Sequence, residues 1–235
     1  MNPVWDSWGC TVRGPAHQKQ GIPNQDALRI RRYSWGNVIA VSDGLGSKRH
    51  ADIGSQAACF AVTEAARSFA THHEALIERL PQLIHALWLI RIAPYKAHEC
   101  GATCLFAIYL KERMILGRLG DGLITSLAAV GEESCIITDE KEESFSNMTR
   151  CLGETFRSDE WELRELSSER YTGIMLCTDG ISDDLLPERR LYFSQQVFKN
   201  GKNITELRRT LVKWPVPGHT DDKTIACLVK VGVHT

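Results

Sequence analysis

The chain has 235 residues, 43% hydrophobic and 24% charged, with a formal net charge of −1. That balance suits a globular protein with a sizeable core. With no basic stripe in view, it argues against nucleic acid or an anionic membrane as the partner. Met1 to Asp6 lacks the basic and apolar regions of a secretory leader, and no apolar run is long enough to span a bilayer. Of the eight cysteines, Cys59, Cys104, Cys135, Cys177 and Cys227 lie in apolar segments, and no two pairs have a zinc spacing. Buried, reduced thiols and a cytoplasmic location are the expectation.

In chain order, Val4 to Val12 reads as a strand, and a polar loop from Arg13 to Asp26 ends in a carboxylate. Ala27 to Tyr33 is a second strand. Ser34 to Asn37 turns it back into Val38-Ile39-Ala40-Val41-Ser42, which runs straight into Asp43-Gly44-Leu45-Gly46-Ser47. Four apolar residues predict a buried strand. The Asp carboxylate at its end suits a hard cation, although Asp-Gly is also the strongest short hairpin signal.

From Ala51 to Phe69, Ile53, Ala57, Ala61, Ala65 and Phe69 recur every four residues and predict an amphipathic helix. A second helical stretch covers Glu74 to Lys96, with Pro81 splitting it and Leu83, Ile84, Leu87 and Ile90 as its apolar side. Ala102 to Leu110, Met114 to Leu119, Leu123 to Val130 and Ser134 to Thr138 then predict an antiparallel meander. Asp139 to Asn147 reads as an exposed acidic loop, and Trp161 to Leu166 as an edge strand. Gly173 to Thr178 is a buried strand. Pro187 to Lys199 and Ile204 to Trp214 are helical, the last capped by Asn203 and stopped near Pro215. Thr224 to Val231 closes the chain as a strand. With no repeat or linker, one domain over residues 1–235 is expected.

Asp43, Asp121 and Asp179 each open an Asp-Gly pair after an apolar run, and Asp26 and Asp221 precede strands. Carboxylates at strand ends can meet on one edge of stacked sheets. There they repel unless cations neutralise them. Oxygen-only ligands favour Mg²⁺ or Mn²⁺. Two such ions, about 3.5–4 Å apart, can lower the pKa of a bridging water for in-line attack on phosphorus. The sequence offers no Gly-x-Ser-x-Gly elbow and no Walker loop as a competitor.

The set Asn24-Gln25-Asp26, Asp43-Gly44-Leu45-Gly46-Ser47, Gly101-Ala102-Thr103, Gly120-Asp121-Gly122, Thr149-Arg150-Cys151-Leu152-Gly153, Cys177-Thr178-Asp179-Gly180 and Asp221-Asp222-Lys223-Thr224 resembles, in order, the metal-dependent type 2C protein Ser/Thr phosphatases. It is most similar to their compact bacterial branch, in which Gly-x-x-His precedes Gln-Asp. The resemblance implies an α+β, four-layer α-β-β-α sandwich of two antiparallel sheets flanked by helices. It implies two Mn²⁺ or Mg²⁺ ions, with Asp43 bridging them, the Gly44 carbonyl on one, and Asp179 and Asp221 on the other. Asp121 matches a ligand of a third, weaker ion, and Asp26 supports the metal shell. A phosphorylated protein is the implied substrate, a cognate Ser/Thr kinase or its target.

Departures from the family pattern are Gln25 for Glu, Gly21 for a phosphate-gripping Arg, Gly122 for Ser, and Leu45 for a His near the metals. His17, also expected to be catalytic, or Lys19 is expected to take the phosphate, with Arg13 and Arg150 next in line. The loop Asp139 to Asn147 lies where the family carries a flap. Two alternatives stand beside the phosphoprotein phosphatase. One is a catalytically weak module that keeps the fold and binds a phosphorylated partner. The other is a phosphatase of small phosphate esters.

Overall fold

The computed structural model describes residues 4–71, 76–138, 150–201 and 203–232. Its strands are β1 (Trp5–Val12), β2 (Asp26–Tyr33), β3 (Gly36–Asp43), β4 (Cys104–Leu110), β5 (Arg113–Leu119), β6 (Leu123–Ala128), β7 (Cys135–Thr138), β8 (Glu162–Ser167), β9 (Tyr171–Cys177) and β10 (Lys223–Lys230). They form two five-stranded antiparallel sheets, ordered β1-β10-β9-β6-β7 and β2-β3-β4-β5-β8. The helices are α1 (Pro15–Gln20), α2 (Ala51–Thr71), α3 (Leu80–Ile92), α4 (Asp179–Ser182), α5 (Arg190–Asn200) and α6 (Ile204–Val212).

The run Val38 to Val41 is apolar throughout because the strand is covered on both faces. Side chains alternate across a strand. Ile39 and Val41 therefore enter the core between the sheets, with Leu105, Leu116, Ile174, Leu176 and Leu228. Val38 and Ala40 point the other way, into a layer filled by α2 and α3. On the far side, Met175, Cys177 and Ile225 meet Val197 of α5 and Leu211 of α6. These three apolar layers make the expected α-β-β-α sandwich.

Several expectations are corrected. The four strands from Ala102 to Thr138 are not one meander: β4 and β5 pair in one sheet, β6 and β7 in the other. The chain changes sheets at Gly120-Asp121-Gly122, where Gly120 and Gly122 have φ of +84° and +119°, values that favour glycine. Pro81 does not split a helix; it stands in the first turn of α3, where a missing N–H costs nothing. The buried face of α3 is Leu80, Ile84, Trp88 and Ile92, four apart, whereas Ile90 is 73% exposed. Trp88 was the missing anchor, and its Nε1 donates to the Gly54 carbonyl of α2. The polar loop after β1 contains the short helix α1. Cys135 is half-buried rather than buried, and all eight cysteines are free thiols.

Other expectations hold. β8 is the edge strand, and Asn203 caps α6 by accepting from Glu206 N at 3.0 Å. The loop Asp139 to Asn147 lies outside the described residues. Among the described residues, no helix is long and apolar enough to cross a membrane.

Candidate metal centre

Asp26 opens β2 and Asp43 closes β3, and the hairpin register makes them direct partners. The two carboxyls act directly on each other's ionisation. Asp179 follows β9 and begins α4, while Asp221 precedes β10, so these two come from the opposite sheet. Asp43 feels the charges of Asp26, Asp179 and Asp221, and Asp179 feels those of Asp221, Asp183 and Asp121. The five carboxylates singled out in the sequence thus share one electrostatic neighbourhood.

Burial and mutual repulsion make ionisation costly there. Burial foremost pushes Asp26 up to about 7, against hydrogen bonds from Thr224 and Thr178. Burial, then the Asp26 and Asp179 charges, raises Asp43 well above the usual carboxylate range. Asp179 is raised to about 6 by burial and by Asp221, and the Gly180 N–H, 2.7 Å from its Oδ1, offsets part of this. A divalent cation would remove the penalty by neutralising the cluster.

The backbone is arranged to leave Gly44 available. Gly44 N donates to Gln25 O, Leu45 N to Gly101 O and Thr103 N to Asp43 O. Asp43 N donates to Thr103 Oγ1 at 2.9 Å. None of these bonds uses the Gly44 carbonyl. A side chain at Gly44 would collide with the Ala51 carbonyl at the start of α2. Among the described residues, no three His, Cys, Asp or Glu side chains are gathered closely enough to hold an ion by themselves. The donor set available is therefore carboxylates plus backbone carbonyl, all oxygen, which suits Mg²⁺ or Mn²⁺ with water completing the shell.

Residues to which the sequence assigned no role of their own lock this edge together. Asp222, 2% exposed, accepts from Gly14 N at 2.6 Å, Gln25 N at 2.7 Å and His17 Nδ1 at 2.9 Å. It ties α1 and the loop before β2 to the turn that leads from Asp221 into β10. Thr178 donates to Asp26 Oδ2 at 2.8 Å and accepts from Thr224 N at 3.1 Å. Thr224 in turn shares a 2.7 Å bond with Thr11, to which Asn24 Nδ2 donates. Short polar side chains of this kind look like any strand threonine in sequence. Their pairing across separations of up to 213 positions gives no local signal.

His17 is thus joined to the carboxylate edge through Asp222. Lys19 is exposed on α1, Arg13 spends Nη1 on the Ile22 carbonyl at 3.2 Å, and Arg150 is exposed. Beside Asp121 and α4 lies a cleft of about 620 Å³, walled by Leu185, Leu186, Asp183 and Arg190.

A four-layer sandwich with a cluster of carboxylates from both sheets at one edge defines a class of metal-dependent phosphate-ester hydrolases. The sequence model of one such family, protein phosphatase 2C, matches residues 13–214, and the chain belongs to that family. It is thus a protein phosphatase of the 2C type. Among solved structures it is similar to the serine/threonine phosphatase Stp1 from Staphylococcus aureus, at 17% identity, TM-score 0.67, with 99% of this chain and 97% of that chain covered. It is also similar to the catalytic domain of the serine/threonine phosphatase PstP in complex with two manganese ions, at 21% identity, TM-score 0.64, with 96% and 98% covered. A third is the photosystem II phosphatase PBCP, at 13% identity, TM-score 0.68, with 98% and 100% covered. No curated protein sequence matches the chain at a significant level. The family match does not favour the reading as a binding module without catalysis.

Proposed function

We propose that this chain, acting in the cytoplasm, removes phosphate from Ser or Thr of a phosphorylated protein, a Ser/Thr kinase or its target, with Mn²⁺ or Mg²⁺. The observation that carries the metal dependence is the carboxylate cluster, in which Asp26, Asp43 and Asp179 resist ionising without a cation. Asp43, the Gly44 carbonyl, Asp179 and Asp221 would hold two ions, and Asp121 a third. When bound, such ions lower the pKa of a water and take up charge on the phosphoryl oxygens.

The protein's own groups supply position. Thr178 holds Asp26, which lies opposite Asp43 across the hairpin. Asp222 holds His17 by Nδ1, which leaves Nε2 for the substrate phosphate or for a proton to the leaving oxygen. Lys19, on the same short helix, adds positive charge for the phosphate. The test is turnover of a phosphoserine peptide and of p-nitrophenyl phosphate, with chelator and with added Mn²⁺. Metal-dependent release that falls at least about 100-fold in Asp43→Asn and in Asp179→Asn supports the reading. Turnover without metal, or surviving both substitutions, refutes it. A higher kcat/KM for p-nitrophenyl phosphate than for every phosphopeptide would move the substrate class to small esters.

A further inference from the structure

A second charged site lies on the other side of the β2 sheet, against the helices. Arg29 points from β2 toward α2 and donates Nε to Thr63 Oγ1 at 3.0 Å. Arg91 reaches in from the last turn of α3. Both guanidinium carbons pack on the ring of Phe60, 4.8 and 4.5 Å from its centroid. Both side chains thus converge on one ring. Both line a cavity of about 360 Å³ that no carboxylate lines, with Ile53 and Ile92 as apolar wall and Gln56 and Tyr95 as polar rim.

Two like charges sharing one ring repel, and cation–π attraction offsets only part of that repulsion. Among the described residues, Glu64 is the carboxylate that acts on Arg29, and it is already paired with Arg67 at 2.7 Å. Burial, then the neighbouring Arg31, holds Arg29 below the usual arginine range. Arg91 has no carboxylate partner among the described residues. Two guanidinium groups bordering one cavity of small-ligand size match phosphate oxygens in charge and in hydrogen-bonding capacity.

We propose that this cavity is a phosphoryl-binding site on Arg29 and Arg91, separate from the carboxylate edge. The phosphoryl group can belong to a phosphorylated protein segment or to free inorganic phosphate. Neither source requires the catalytic reading. The experiment is calorimetric titration of the full chain, with chelator present, using inorganic phosphate, a phosphoserine peptide and the same peptide unphosphorylated. One saturable site is expected, weakened about tenfold or more in Arg91→Gln and kept in Asp43→Asn. Arg91 is exposed, so its substitution leaves the fold intact, which circular dichroism checks. Arg29→Lys keeps the charge but loses the fork, and is expected to weaken binding as well. Tighter binding of the phosphopeptide than of phosphate assigns the site to a protein segment; equal binding assigns it to the free ion. No saturable binding, binding undiminished in Arg91→Gln, or binding abolished by Asp43→Asn overturns the proposal.

Discussion

Asp26 and Asp43 stand opposite each other across a β-hairpin, and their carboxyls act directly on each other's ionisation. In an unfolded chain each would titrate near 3.9. Folding raises both, and raises Asp179 to about 6. The folded, metal-free protein therefore binds more protons than the unfolded chain between about pH 4 and 7, and its stability falls as pH rises through that window. Thermal melts with chelator should give a lower Tm at pH 8 than at pH 5.5. Asp43→Asn should raise the pH 8 value by about 1 kcal/mol or more, roughly 2–4 °C. An unchanged slope in that variant would mean the carboxyls are not the cause. Asp222 acts differently, since its charge is satisfied by three donors. Asp222→Ala should destabilise by about 2–3 kcal/mol in urea. If it works through the imidazole, His17→Ala should then cost little further activity in that background. The Asp-Gly pairs were legible because each follows an apolar strand. Asp222 was not: it sits beside Asp221, and only the tertiary partners show which of the two turns inward.

At the scale of elements, the strands, the long helix α2 and the cap of α6 were readable from periodicity and turn chemistry. What the pattern could not give was partnership. Gly120-Asp121-Gly122 looks like a hairpin turn between β5 and β6, yet it carries the chain from one sheet to the other. Local geometry is similar in both cases, and only burial of both sheets' inner faces decides between them. Periodicity does not single out the buried face of α3, because Ile90 is as apolar as Ile84 and the flanking Leu83 and Leu87 are partly buried beside it. Volume decides here, since Trp88 is fully buried and its indole N–H donates to the Gly54 carbonyl of α2. Trp88→Ala should cost about 3–5 kcal/mol by urea denaturation. Ile90→Ala, at an exposed position, should cost less than about 0.5 kcal/mol. Equal costs would restore the original reading of the helix.

Across the whole molecule, the carboxylates are supplied by both sheets. Asp26 and Asp43 come from one, Asp179 and Asp221 from the other, and Thr178 and Asp222 bond across the gap. The two-sheet architecture was legible through the ordered motif set. The closure was not, because β1 pairs with β10 at the opposite end of the chain. Cations held by ligands from both sheets should stabilise the sandwich as a unit. At 100 times the dissociation constant the gain is about 2.7 kcal/mol. A single melting transition should therefore move up by roughly 5–10 °C with Mn²⁺.

The most direct test is calorimetric titration of Mn²⁺ into the metal-free wild-type chain, Asp43→Asn and Asp179→Asn. The account predicts at least two sites in the wild type, with Asp43→Asn weakening both and Asp179→Asn weakening one. A wild-type chain that takes up no Mn²⁺, or variants that bind it as well as the wild type, would contradict it.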